Sequence, residues 1–261
     1  MQRMVMMPSD MIYETERQGV TYMSSIRKIA VAIDGPAGAG KSSISKLVAQ
    51  RLGYLYIDTG AMYRAITWAA LHAGVDVKDE IKVTALLPSI DLRLEPTKDS
   101  FRVYVNNREI TADIRSQAVT GHVSQVASYK SVREFLVEKQ RQMARCGGVI
   151  LDGRDIGSVV LPDAELKIYL TASVDARAHR RWLEVKDIEE VSLEDIKRSV
   201  KERDLMDTTR KESPLICVPE AVVVDSSNMS FDNTVEHIMK LIIDKSALLA
   251  EEAIQVKGDE K

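Results

Sequence analysis

The stretch Gly35-Pro36-Ala37-Gly38-Ala39-Gly40-Lys41-Ser42 decides how the rest of the chain is read. It fits G-x-x-x-x-G-K-[ST], a loop whose backbone N–H groups wrap phosphate oxygens. Just before it, Ile29-Ala30-Val31-Ala32-Ile33 is a short apolar run with β-branched residues, as expected of a buried parallel strand. Just after it, Ile44, Leu47, Val48 and Leu52 recur at helical spacing, and Gly53 stands where a helix would stop. Strand, glycine loop and helix is the context the motif needs. The helix N-terminus adds partial positive charge where the amides converge. Lys41 adds a full charge, and the Ser42 hydroxyl can reach Mg²⁺. The stretch predicts a site for the phosphates of a nucleoside triphosphate, formed by Gly35, Pro36, Ala37, Gly38, Ala39, Gly40, Lys41, Ser42 and Ser43.

The chain has 261 residues, of which 45% are hydrophobic, enough for one large α/β domain with insertions or two small domains. Its net charge of −3 argues against a broad nucleic-acid surface, though a local basic cleft is compatible with it. Cys146 and Cys217 have no metal-binding or redox spacing, and a reduced cytoplasmic protein is the plain expectation. His72, His122, His179 and His237 are scattered and read as packing or surface residues. No apolar run reaches membrane-spanning length. The first 26 residues contain no continuous apolar core of a signal peptide. Residues 1–25 are expected to be poorly ordered.

Further along, Tyr54-Leu55-Tyr56-Ile57 predicts a second strand ending at Asp58-Thr59-Gly60, with a helix from about Ala61 to His72. Alternation in Ile90–Glu95 and Phe101–Asn106, separated by Pro96-Thr97-Lys98-Asp99-Ser100, predicts a hairpin. Asn106-Asn107 predicts a turn into a third short strand near Glu109-Ile110. A small antiparallel sheet therefore interrupts the βα pattern. Residues from Ser116 to Arg145 read as helical, divided at Gly121 or around Tyr129-Lys130-Ser131. Val149-Ile150-Leu151, Leu166–Leu170 and Ala221–Val224 complete a set of five core strands, and the last helix is expected from Phe231 to about Ala250, followed by a frayed tail. Five buried strands alternating with helices predict a parallel sheet covered on both faces.

Ser192-Leu193-Glu194-Asp195 has the form of a capping box and opens a helix carrying Lys201-Glu202-Arg203-Asp204. Arg203, Asp207 and Arg210 follow at i, i+4, i+7 and share one face. A solvated charged helix is the plain reading of such a run. Arg64 and Arg154, however, follow C-terminal strand ends, where α/β proteins bind ligands. An acceptor hydroxyl would call for an Asp base. An acceptor phosphate is already ionised, with a second pKa of about 6. The task is then to bring two polyanions together, which planar, permanently charged arginines do well. A phosphate loop with arginines from several segments reads as a kinase acting on a nucleotide. A mobile arginine-bearing helix would exclude water.

Four separated motifs now stand in order: Ile33-Asp34-Gly35 through Ser43, Asp58-Thr59-Gly60-Ala61-Met62-Tyr63-Arg64, Asp152-Gly153-Arg154-Asp155-Ile156-Gly157, and Lys201–Asp204 with Asp207, Arg210 and Pro214-Leu215. Over residues 27–245 the chain resembles the bacterial cytidylate kinases, a branch of the nucleoside-monophosphate kinases. The resemblance implies an α/β P-loop kinase fold of three layers: a five-stranded parallel sheet, a helical lid and an inserted small antiparallel sheet. It divides the chain into an extension (1–25), a first core part with the P-loop (26–83), an inserted monophosphate-binding subdomain (84–120), a second core part (121–185), a lid (186–210), and the last strand and helix (211–261). It implies transfer from MgATP to CMP or dCMP by a cytoplasmic enzyme, expected to be a monomer, with no nucleic-acid or membrane partner. Lys41, Arg154, Arg203, Asp207 and Arg210 would be catalytic. Thr59, Arg64, Arg154, Asp207 and Arg210 would hold the acceptor, and Ser124, Arg133 and Asp155 would read its base. Mg²⁺ would meet Ser42 through a water network, with Asp152 as a further candidate. Residues before 24 and Ile216–Glu220 depart from the family pattern; the latter would lie near the donor base.

Another P-loop kinase, with UMP or a metabolite hydroxyl as acceptor, is the nearest alternative. A nucleotide switch would need N-K-x-D, and an ABC-type ATPase L-S-G-G-Q; the sequence contains neither.

Overall fold

The computed structural model describes residues 27–97, 101–145, 147–186 and 190–259. The expected disorder of residues 1–25, the turn residues Lys98–Ser100, Cys146 and the last two residues of the expected frayed tail lie outside these.

Strand β1 (Ala30–Asp34) delivers the glycine loop, and α1 (Lys41–Leu52) leaves it. Then follow β2 (Leu55–Asp58), α2 (Thr59–His72), α3 (Glu80–Leu86), β3 (Leu92–Pro96), β4 (Phe101–Val105) and β5 (Arg108–Glu109). Helices α4 (Gln117–Val126) and α5 (Lys130–Ala144) lead to β6 (Val149–Gly153), β7 (Leu166–Thr171), α6 (Val174–Val185), α7 (Leu193–Thr209), β8 (Val222–Asp225) and α8 (Phe231–Asp259).

The main sheet has five strands in the order β2-β6-β1-β7-β8. All its pairings are parallel. Strand β1 lies at the centre. The chain leaves it for the edge at β2 and returns to both its sides with β6 and β7, so a crevice opens at the C-terminal end of β1. The sheet's two faces bury separate apolar clusters. One packs Ile44, Val48, Val235, Ile238 and Ile242 of α1 and α8 against Val31 and Ile33. The other packs Ala61, Met62 and Ile66 of α2 against Ile57 and Leu151, and it extends through Phe101, Val103, Val105 and Ile110. The small antiparallel sheet β3-β4-β5 thus shares the main core instead of forming one of its own. Asn106 and Asn107, both at positive φ (49° and 67°), make its tight turn.

The helical stretch after Ser116 breaks at Ala127–Tyr129 and not at Gly121, which lies inside α4. The third core strand runs two residues past Leu151, which puts Asp152 in the sheet instead of beyond it. The last helix continues through the expected frayed region to Asp259. The apolar stripe fades near Ala250, but Ala250–Val256 contains no proline or glycine to stop a helix. Helix α2 starts at Thr59, two residues early, because the Asp58 carboxylate caps it by accepting from the Ala61 N–H.

Gly35 shows how closely the loop leaves the sheet. Its φ is +151°, and a Cβ there would lie 1.9 Å from the Leu170 carbonyl oxygen on β7. Gly35→Ala therefore combines backbone strain with overpacking against a backbone atom. The expected cost is about 3 kcal/mol or more, or roughly a 10 °C fall in Tm, checked by thermal denaturation.

Candidate active site

A cleft of about 560 Å³ runs along the C-terminal edge of the sheet. Ala37, Gly38, Gly40, Lys41, Ser42 and Ser43 line one side of it. Gly35, Pro36 and Ala39 do not line it; Ala39 is instead fully buried in the core between α1 and the sheet. Gly40 is the N-cap of α1 and offers no side-chain acceptor, so the first N–H groups of that helix are left for an anion. Lys41 is 5% exposed and donates to the carbonyls of Gly35 (2.7 Å) and Pro36 (2.8 Å), bending the loop around its own ammonium.

Asp58 and Asp152 stand side by side as register partners on β2 and β6. Asp152 accepts from the Ser42 hydroxyl at 2.9 Å and from the Tyr56 hydroxyl at 2.8 Å. Burial and the neighbouring Asp58 push the Asp152 carboxyl above its ordinary range, against the pull of Lys41. Burial and Arg154 push Lys41 below its ordinary value, against Asp152, Asp34 and Asp207. An entering polyanion would favour the charged form of Lys41, whereas the adjacent Asp58 and Asp152 carboxylates call for a cation beside it. Ser42 and Asp152 together present hard oxygen donors, a set that suits Mg²⁺ shared with phosphate oxygens.

The opposite side carries the arginines. Arg64 donates to Asp58 at 2.9 Å, and Arg154 Nε to Asp207 at 2.7 Å. Arg210 Nε donates to the Ser213 carbonyl at 2.7 Å. Arg133 pairs with Asp155 and donates to the Ala127 carbonyl at 3.0 Å; both side chains of the pair are about 95% buried. Arg210 approaches the other Asp155 oxygen at 3.7 Å. Thr59, 2% exposed, donates to the Asp152 carbonyl at 2.7 Å. Ser124 and Arg203 also line the cleft. Burial followed by neighbouring guanidinium groups lowers Arg203 and Arg210 from the usual arginine value, though both remain charged. Burial works to raise Asp207, but Arg154, Arg210 and Arg203 overcome it and hold the carboxyl below its ordinary value.

Several buried donors here have no acceptor: Nε of Arg64, Arg133 and Arg203, Nη2 of Arg210, and the Tyr63 hydroxyl. All five side chains line this one cleft. Buried polar atoms are normally satisfied, so a concentration of orphaned N–H groups fits a ligand rich in acceptor oxygens.

Helices α6 and α7 form a hairpin with a small seam of Ala178, Val185, Ile196 and Val200. Of the expected lid at 186–210, Leu193–Thr209 is the second arm of this hairpin, and residues 187–189 lie outside the described residues. Arg177 of α6, 3% exposed, ties the hairpin to the phosphate loop. It donates to the Ala37 carbonyl at 2.9 Å and holds both oxygens of Asp204 at 3.0 and 2.6 Å. A trans peptide points its N–H opposite its C=O, so anchoring the Ala37 carbonyl turns the Gly38 N–H away from Arg177. Sequence reasoning missed Arg177, Tyr63 and Tyr56. Arg177 carried a readable signal: it is a charged residue on the apolar stripe of its helix, beside Val174 and Ala178.

Residues 31–244 match the family model for cytidylate kinase. A cytidylate kinase of Bacillus subtilis is 45% identical over 221 residues, covering 84% of this chain and 99% of that protein. One of Pediococcus pentosaceus is 46% identical over 216 residues, covering 82% and 96%. A bifunctional pantoate ligase/cytidylate kinase of Prochlorococcus marinus is 46% identical over 222 residues, 84% of this chain but 44% of that longer protein. With its phosphate loop, its arginine-lined cleft and these relatives taken together, the chain belongs to the cytidylate kinase family.

Proposed function

We propose that the protein transfers the γ-phosphoryl group of ATP to CMP or dCMP, giving CDP or dCDP. The observation that carries this reading is the two-sided cleft. A cradle of loop amides and Lys41 faces arginines from four separate segments, with the Arg133–Asp155 pair at the acceptor end.

The loop and Lys41 hold the donor phosphates. Arg64, Arg154 and Arg210 hold the acceptor phosphate, which is already ionised and needs no base. Arg154 and Arg203, with Lys41, stabilise charge on the transferring group, and Asp207 keeps Arg154 aimed at it. Thr59 contributes at the acceptor's edge. Mg²⁺, held by phosphate oxygens with Ser42 and Asp152 nearby, would offset phosphate charge and align the groups.

Asp155 and Arg133 supply an acceptor and donors matched to cytosine, whose N4 amine donates while N3 and O2 accept; Ser124 adds one more donor. Uracil would set a carbonyl against the carboxylate, a mismatch that a polar site rejects strongly. The test is a panel of CMP, dCMP, UMP, AMP and GMP with MgATP, following diphosphate formation. CMP and dCMP should be turned over well ahead of the rest. Comparable rates with UMP, AMP or GMP would overturn the proposal.

A further inference from the structure

Asp34 ends β1, one residue before the phosphate loop, and is 7% exposed. Its carboxylate does not point into the cleft. It crosses to the segment after β6, where Oδ1 accepts from the Ile156 N–H at 2.8 Å and Oδ2 from the Gly157 N–H at 2.7 Å. Those two amides open the short helical turn Ile156–Val160. The first N–H groups of any such turn have no partner within it.

The residue at the N-cap of this turn is Asp155. An aspartate at that position ordinarily turns its carboxylate onto the second or third amide of its own helix, here that of Gly157 or Ser158. Asp155 does not, since its side chain makes no cap hydrogen bond. Its oxygens face Arg133 and Arg210 instead. Asp34 already occupies the Gly157 amide, the nearer of the two that an N-cap side chain uses, and the Ile156 amide just before it. With the nearer amide taken, the pull on Asp155 toward its own turn is weakened and its carboxylate stays with the cleft arginines. The Ile156 N–H also belongs to the peptide unit that follows the Asp155 Cα, so Asp34 restrains the Asp155 backbone directly.

We propose that Asp34 is a positioning residue for base selection: it caps the 156–160 turn in place of Asp155 and so keeps the Asp155 carboxylate aimed at the acceptor base. This rests on the proposed base-reading role of Asp155. It also fits the close packing around Gly157, where a Cβ would lie 3.4 Å from Asp34 Oδ2 and 3.2 Å from Lys167 Cδ.

Asp34→Asn keeps the shape but leaves one oxygen to accept, and it sets an NH₂ against the second amide. Asp155 then has a free amide to turn toward. The expected result is a CMP-to-UMP ratio of kcat/KM reduced about tenfold, the scale of one base contact, with KM for ATP changed less than about twofold. The same substitution made in an Asp155→Ala background should leave the remaining ratio unchanged, because nothing is left to position. Equal losses with CMP and UMP, or a further drop in the ratio in that background, would overturn the proposal. If Asp155→Ala alone leaves the CMP-to-UMP ratio intact, the base-reading role fails first. If it narrows the ratio and Asp34→Asn does not, only the positioning role fails. Should Asp34→Asn not fold, Asp34→Ser, whose shorter side chain releases both amides, is compared in the same way.

Discussion

Lys41→Ala is expected to lower turnover about a thousandfold with every acceptor, because charge stabilisation of a transferring phosphoryl group is lost whichever base follows it. The fold should survive. The ammonium is nearly fully buried, and burial together with Arg154 already makes its charge costly. The buried Gly35 and Pro36 carbonyls lose a donor, which offsets part of the gain from removing that charge. Near-native circular dichroism, a Tm within a few degrees of the parent and a uniform loss across the acceptor panel would fit this account. A loss confined to CMP would contradict it. Lys41→Arg should not restore activity, since a forked, bulkier guanidinium cannot occupy the space within the loop.

Asp155→Ala should have a different signature: the CMP-to-UMP ratio of kcat/KM falls about a hundredfold, mostly through loss of CMP turnover. It should also destabilise the protein. Arg133, with a side chain 5% exposed, loses the carboxylate paired with it, and breaking a buried pair from one side costs about 3–5 kcal/mol. Two measurements separate the effects. Steady-state kinetics with both acceptors reads the base contact, and thermal denaturation reads the orphaned charge. Asp155→Asn, which keeps an acceptor beside Arg133, should recover much of the stability and little of the discrimination. A loss of activity equal for CMP and UMP would reduce Asp155 to a structural partner of Arg133.

Much of the architecture was legible because its signals are local. The run from Ile29 to Ile33, the glycine loop and the spacing of Ile44, Val48 and Leu52 each specify their own segment, and the strands announce themselves as apolar runs. The misplacements are boundary effects. Asp58 caps α2 with a side chain from the strand, and no breaker ends α8 where its apolar stripe fades. The resemblance gathered residues that the structure brings into one cleft, including Ser124 and Arg133 from adjacent helices. What stayed hidden are partnerships across the sheet. Asp34 and Gly157 are 123 residues apart, and Arg177 and the Ala37 carbonyl 140 apart; nothing in either local pattern names the other. A polar residue on an apolar helical stripe shows that a partner exists without saying which one.

The hairpin of α6 and α7 keeps its buried seam to itself, whereas the small antiparallel sheet shares its apolar surface with α2 and the main sheet. The two elements flanking the cleft are therefore of different kinds. The sheet can separate from the body only by exposing core. Displacing the hairpin would rupture polar ties such as Arg154–Asp207 and Arg177 to the Ala37 carbonyl and leave the two large clusters closed. Opening the cleft by way of the hairpin would thus be an electrostatic event, sensitive to ionic strength and to bound polyanion, with little change in heat capacity.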